Sequence, residues 1–270
     1  MTVKIKIAIV GHGFVGKAVD YGFSNPDVEK IIIDVKYGNS IADIPSTVDA
    51  VFVCVPTPMG NFSIINQVVG ELVDRKLTDV STVVIKSTVP PNILSKYKKW
   101  GVVYNPEFLR EANANEDFVN PPMHVFGGPY QKVKKLERIY MRYSLCKPCP
   151  IFKVSIEEAS AIKYTINSFL ATKVMFFNQI YQMSQEHDLD FNKIINAVGS
   201  DPRIGQSHTR VPGFDGKFGF GGACFPKDTL AFCNYSDKLT VLAEAVARNN
   251  ELRQDYDLDD REKEQEVTYK

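Results

Sequence analysis

The sequence predicts an α/β protein: an N-terminal doubly wound parallel sheet, then a mostly helical domain built on one long helix. Three observations carry this. The chain opens on a β-rich run that ends in glycines and passes into a helical pattern, "KIKIAIVGHGFVGKAVDYGF". Short apolar runs recur at "DAVFVCV" (49–55), "STVVIKST" (81–88) and "GVVYN" (101–105), with amphipathic stretches such as "IINQVVGELVDR" between them. Strands buried on both faces have this character. The alternation then stops, and from Ile156 to His187 there is neither Gly nor Pro. The expected domains are residues 1–153, residues 154–255 and a charged tail, 256–270.

Composition narrows the class of function. The 270 residues are 44% hydrophobic and 24% charged, with a formal net charge of zero, as in a soluble globular protein. Balanced charge gives no electrostatic footprint for nucleic acid or an anionic membrane. No apolar stretch reaches bilayer length and the N-terminus has no signal-peptide pattern, so a cytoplasmic protein is expected. Five cysteines in such a chain do not form a disulfide framework. Cys54 lies in a strand-like run and reads as core. Cys146 and Cys149 form a lone C-x-x-C, a weak zinc or redox signal read as structural or incidental. No metal is expected.

The opening segment carries the cofactor motif. Lys4 to Val10 form the strand, and Gly11, Gly13 and Gly16 follow in G-x-G-x-x-G spacing around Phe14 and Val15. In a Rossmann-like unit the first glycine makes the turn and the second admits the pyrophosphate. The third lets helix and strand pack closely, while the helix N-terminus faces the phosphates. "KIIID" ends in Asp34, close to where an acid accepts from the ribose 2′-hydroxyl and repels a 2′-phosphate, so NAD is the expected cofactor. Thr57, Thr88 and Glu107 fall in loops after the apolar runs, beyond the carboxyl ends of the strands, where ligands bind. Thr57 reads equally as a helix cap.

In the second half, Ser155 and Glu158 form a capping box for the long helix, which carries Lys163 and Asn167 four residues apart on one face. Further on, "FGFGGACFPKD" (218–228) places three glycines, Gly219, Gly221 and Gly222, before Cys224. Glycine lets backbone approach a ligand closely, so the turn is expected to deliver the thiol to a bound molecule. Pro226 suits a helix start and Asp228 its first turn. Cys224 then sits at a helix N-terminus beside Lys227, two influences that favour the thiolate. A hydride acceptor and a reactive thiol together point to aldehyde oxidation through a thioester.

"GHGFVG", "VPTP", "KSTVPP", "NPEFLREA", "EEASAIKYTINSFLATK" and "GFGGACFPKD" resemble, in order, the UDP-glucose/GDP-mannose dehydrogenase family, over residues 3 to about 250. The resemblance implies oxidation of the C6 hydroxyl of a nucleotide sugar to a carboxylate, with two NAD per sugar and UDP-glucose the foremost candidate. It implies that Cys224 is the nucleophile and that Lys163 and Asn167 stabilise the oxyanion. Asp228 works with Lys163 and a water in proton transfer, Glu107 acts in thioester hydrolysis and Thr88 positions the water. Phe108, Leu109 and Arg110 hold sugar and phosphate largely through backbone, with Gly221 also at the substrate, and Lys227 meets the cofactor. Family members usually continue into a second α/β domain that grips the nucleotide. Here "ELRQDYDLDDREKEQEVTYK" follows the helical domain and reads as a fraying, solvated end. The longer "SHTRVPGFDGK" offers partial compensation, and a separate nucleotide-binding chain is a possible partner. A homodimer along the helix of residues 156–187 is expected, because so apolar a helix leaves a face for a second copy.

Two readings stand beside this one. A two-electron hydroxyacid dehydrogenase of related architecture has no use for Cys224, so NADH yield per substrate separates it. A non-catalytic NAD-binding remnant lacks an unusually reactive thiol, so cysteine labelling separates that.

Overall fold

A computed structural model describes residues 4–270; residues 1–3 of the expected first domain lie outside the described residues. The chain forms two compact units. One runs up to Thr57 and resumes over Asn61–Lys163; the other joins Pro58–Gly60 to Tyr164–Lys270.

The first unit alternates β1 (Ile5–Val10), α1 (Phe14–Gly22), β2 (Val28–Ile33), β3 (Ala50–Val53), α2 (Ser63–Asp74), α3 (Leu77–Val80), β4 (Thr82–Ile85), α4 (Pro91–Tyr97), β5 (Val103–Tyr104), α5 (Ala114–Val119), β6 (His124–Gly127), α6 (Tyr130–Tyr143) and β7 (Ile151–Val154). Among the described residues the strands make one sheet, ordered β2-β1-β3-β4-β5-β6-β7. Side-chain alternation divides its core. Ala8, Val10, Val51, Val53 and Val83 enter one apolar cluster, while Ile7, Ile9, Phe52, Val84 and Val103 enter another. Burial on both faces explains why the strands read as unbroken apolar runs rather than alternating ones.

The sheet departs from the expected all-parallel pattern at one place: β6 is antiparallel to β5, with Tyr104 opposite Gly127. A parallel return needs a crossover packed on the sheet, usually a helix of some length. Here the connection holds the Glu107–Arg110 segment and only the six-residue α5. That short helix is pulled onto α1, where a Cβ at Gly22 would overlap the Phe118 ring at 2.0 Å. β6 and β7 pair in parallel.

α7 (Ile156–Glu186) is a single helix of 31 residues whose residues to Lys163 count with the first unit and whose remainder count with the second. Its capping box forms: Ser155 N–H donates to Glu158 Oε2 at 2.7 Å and Glu158 N–H to Ser155 Oγ at 3.1 Å. The second unit adds α8 (Phe191–Ser200), α9 (Phe225–Tyr235), α10 (Thr240–Arg253) and α11 (Asp260–Glu264). Its core clusters include Ala171, Met175, Phe220 and Ala245, and separately Tyr164, Phe232 and Leu242.

The tail corrects an expectation. Instead of fraying, it folds: Asp259 and Glu262 cap α11 reciprocally, and Glu262 and Val267 are each 1% exposed. Its charge suggested solvation, but the buried acid has partners brought from elsewhere in the unit. Among the described residues no helix is long and apolar enough to cross a membrane.

Candidate active site and cofactor loop

The turn after β1 builds the cofactor loop. Gly11 adopts φ +87°, in the left-handed region, and a Cβ there would lie 2.8 Å from the Cys54 carbonyl oxygen. A Cβ at Gly16 would fall 1.9 Å from the Gly11 carbonyl oxygen, so this glycine lets the helix close on the turn. Gly13 is the N-cap of α1, and a Cβ there would meet nothing within 4 Å. The open side of the loop is thus the side where the first N–H groups of α1, from Phe14 and Val15 onward, begin the helix and favour an anion.

Asp34 follows β2 and is held against this turn. Its Oδ2 accepts from His12 N–H at 2.6 Å and its Oδ1 from Lys36 N–H at 2.9 Å. Each oxygen keeps a lone pair for a ribose hydroxyl. Burial alone would raise this carboxyl, but the two N–H bonds bring it below the usual carboxylate range. Asp34 is therefore an anion at neutral pH, suited to a diol and hostile to a phosphate. His12 was not singled out by sequence. Its ring bridges Tyr37 Oη (2.9 Å) and Asp20 Oδ2 (3.1 Å), bracing the loop. Thr57 and Thr88, both buried, follow β3 and β4 at the same ends of the strands. Open glycine, helix N-terminus and diol-accepting carboxylate together fit a dinucleotide.

In the same unit, the segment after β5 meets α7. Lys163 Nζ donates to the Glu107 carbonyl oxygen at 2.7 Å and to Glu107 Oε1 at 2.8 Å, and lies 5.5 Å from the Phe108 ring centroid. Lys163 is 3% and Glu107 7% exposed. Burial would raise the Glu107 carboxyl, but the Lys163 charge and hydrogen bond, with the Leu109 N–H at 2.7 Å, hold it below its usual value. Arg110 gives its backbone N–H (2.7 Å) and guanidinium (2.6 Å) to Asp117. The N–H groups of Leu109 and Arg110 are thus engaged within the protein, and so are the Glu107 and Arg110 carbonyls, which accept from Lys163 Nζ and Asn113 N–H.

Lys86 was also missed. It is buried beside Glu107, donates to Asn105 Oδ1 at 2.9 Å and is pushed down to about 8 by burial, against the opposing pull of Cys54 and Glu107. Tyr140 donates to the same Asn105 oxygen at 2.7 Å. The apolar context of "STVVIKST" gave the only signal, and it marked the strand rather than the lysine.

In the second unit Cys224 is the N-cap of α9, with Pro226 and Asp228 in the first turn. Asp228, 1% exposed, ties two predicted residues together: Oδ2 accepts from Asn167 Nδ2 at 2.6 Å and Oδ1 from Lys227 Nζ at 2.7 Å. Within their own units, five of the predicted groups meet one another: Lys163 with Glu107, and Asn167 and Lys227 with Asp228. Cys54 is core, and burial pushes its thiol up to about 12. Cys146 Sγ donates to the Phe118 carbonyl at 3.1 Å. Among the described residues no cluster of three metal-ligating side chains forms.

The glycines before Cys224 also answer to packing within the protein. A Cβ at Gly219, where φ is +71°, would lie 2.4 Å from Asn249 Oδ1, and one at Gly221 would lie 2.2 Å from Arg253 Nη1. These two glycines yield space to the protein's own polar side chains. A Cβ at Gly222 would meet nothing within 4 Å.

The fold and the glycine loop define a dinucleotide-binding protein of Rossmann-like kind. Comparison with known proteins narrows this. Residues 35–144 match the NAD binding domain of the UDP-glucose/GDP-mannose dehydrogenase family, and residues 157–252 match that family's central domain. The chain belongs to this family, and its cofactor is NAD. It is 32% identical over 246 residues to UDP-glucose 6-dehydrogenase TuaD of Bacillus subtilis, covering 83% of this chain and 51% of that protein. It is 35% identical over 224 residues to UDP-glucose 6-dehydrogenase of Rickettsia bellii, covering 76% of this chain and 50% of the relative. The chain thus spans about half the length of these curated relatives. A UDP-glucose dehydrogenase structure from Pyrobaculum islandicum superposes with a TM-score of 0.75 at 27% identity, over 93% of this chain and 68% of the other.

Proposed function

We propose that the chain carries out NAD-dependent oxidation of the C6 hydroxyl of a nucleotide sugar to a carboxylate, UDP-glucose being the foremost substrate, with two NAD consumed per sugar. The observation that supports this most directly is the Cys224 thiol at the start of α9, in the unit where Asp228 collects Asn167 and Lys227. NAD, when bound, would accept a hydride from C6 in each of two oxidations, alcohol to aldehyde and Cys224 adduct to thioester, each of which also releases the hydroxyl proton. Cys224 sulfur adds to the C6 aldehyde carbon as the carbonyl electron pair moves to oxygen. Lys163 and Asn167 donate to that oxyanion, a charge that exists only along the reaction path and so is where binding energy raises kcat. Oxidation of the adduct leaves a thioester. Water, oriented by Thr88 and deprotonated with Glu107 or Asp228 taking the proton, displaces the sulfur and gives the carboxylate.

In this reading residues 1–153 form the NAD-binding domain and 154–255 the catalytic and dimerising domain. Phe108–Arg110 and Gly221 contact the sugar nucleotide, and Lys227 contacts the cofactor. The test is purified chain with NAD and a panel of nucleotide sugars, followed at the NADH absorbance. Two NADH per sugar are expected. Cys224→Ser should lose turnover by several orders of magnitude while still binding NAD, since a serine hydroxyl is far less acidic than a thiol at a helix N-terminus. One NADH per substrate, or near-wild-type turnover by the variant, would favour a two-electron dehydrogenase instead.

α7 supports a homodimer. Phe169, Phe176 and Met183 recur every seven residues and are 65%, 54% and 36% exposed, an apolar seam of the kind that helices bury against a partner.

A further inference from the structure

The backbone leading into Cys224 is held by side chains from α7, α10 and the tail. Gly219 N–H donates to Asn178 Oδ1 at 3.0 Å, and Phe220 N–H donates to Asn249 Oδ1 at 2.6 Å. Arg253 Nη2 donates to the Gly219 carbonyl at 3.1 Å, and Gly222 N–H donates to Glu262 Oε1 at 3.0 Å. Arg253 and Glu262 are 2% and 1% exposed. The Arg253 guanidinium has Asp215 Oδ2 at 2.8 Å and Glu262 Oε1 at 3.7 Å. Glu262 also accepts from Tyr269 Oη at 2.6 Å and from Asp259 N–H at 2.9 Å.

Burying a carboxylate is costly unless it is paired and hydrogen-bonded, and Glu262 has a cation nearby and three donors. A buried set this connected fixes geometry. What it fixes is a stretch with little means of ordering itself. Gly219 and Gly222 sit at φ +71° and +78°, and glycine loses more backbone freedom on ordering than any other residue. Cys224 is two positions beyond the Glu262-bound amide. The clamp residues Arg253, Glu262 and Tyr269 also lie past residue 252, where the match to the family's central domain ends.

We infer that Glu262, backed by Arg253 and Tyr269, is a positioning residue for the Cys224 thiol: segment 256–270 clamps the glycine loop through the Gly222 amide. The role in catalysis rests on the reading of Cys224 as nucleophile. Glu262 touches no reacting atom and acts through the loop.

The test compares full-length wild type with Glu262→Ala, Glu262→Gln and the milder Tyr269→Phe. Four quantities are read: hydrogen exchange of residues 218–224, alkylation of Cys224 by iodoacetamide located by peptide mass, NAD affinity and melting temperature. Glu262→Ala should raise loop exchange at least tenfold and slow Cys224 alkylation at least fivefold, with NAD affinity within twofold. Glu262→Gln keeps an acceptor for the Gly222 amide and should stay within twofold on both loop readouts, with Tyr269→Phe between the two. A lowered melting temperature with loop exchange and alkylation unchanged in Glu262→Ala overturns the inference, as do equal losses in the Ala and Gln variants. Should Glu262→Ala not fold, loop readouts in Tyr269→Phe that equal wild type overturn it. If wild-type Cys224 alkylates no faster than Cys233, the nucleophile reading fails, and the exchange comparison still decides the clamp.

Discussion

Lys163 and Glu107 are 56 positions apart, and neither residue type announces burial. Sequence marked both as candidates but did not pair them. The pair changes how a substitution must be read. Removing one partner of a buried ion pair typically costs about 3–5 kcal/mol because the other charge is stranded. Lys163→Ala should therefore lower thermal stability as well as kcat, and an activity loss alone would be ambiguous. Lys163→Met combined with Glu107→Gln removes both charges and should regain most of the stability while turnover stays lost. Melting curves of the single and double variants check this. A single variant as stable as wild type would mean that the pair contributes nothing to the fold. The local signals fared better: G-x-G-x-x-G, the Ser155 capping box and the Cys224 helix start depend on neighbours within a few residues and were legible. Residues whose role is set by distant partners, such as Lys86 or Glu262, were not.

Among the elements, β1, β3, β4, β5 and α7 were readable because each carries its own periodicity over enough residues. β6 and β7 were not read: four residues each, they become strands only through their pairing. β6 brings a pH-sensitive group with it. His124 stacks on Phe126 at 5.4 Å and packs against Tyr140 at 4.7 Å, and burial, helped by the Lys86 charge, pushes its ring down to about 4. The unfolded chain takes up this proton near pH 6.5 and the folded chain only near 4, so acidification through that window favours unfolding. His124→Phe keeps the stacking and should abolish about 2–3 kcal/mol of stability loss between pH 7.5 and 4.5. A pH-independent difference between wild type and variant in denaturant unfolding would contradict this. For α7, a protein carrying Phe169→Glu and Phe176→Glu should be monomeric by light scattering where wild type is dimeric. A monomeric wild type at micromolar concentration would exclude the dimer.

At the scale of the molecule, the matched residues correspond to about half of the TuaD relative. Binding energy remote from the reacting carbon serves to orient it, and an enclosed site strengthens the interactions made there. The chain alone should bind NAD yet turn over UDP-glucose weakly, with KM above roughly 1 mM. A submillimolar KM that survives deletion of the 207–217 loop would refute this.

The second unit is not contiguous in the chain, because Pro58–Gly60 belong to it. Met59 N–H donates to the Gln265 carbonyl at 2.9 Å, and Thr268 Oγ1 lies 3.7 Å from Met59 Sδ. During synthesis on a ribosome, residue 59 emerges roughly two hundred residues before these partners, about 10–40 s at ordinary elongation rates. The strands of the sheet, which end at Val154, emerge long before then. The last contacts of the second unit therefore close only after release of the tail from the exit tunnel, and a fragment beginning at Tyr164 would be made without them.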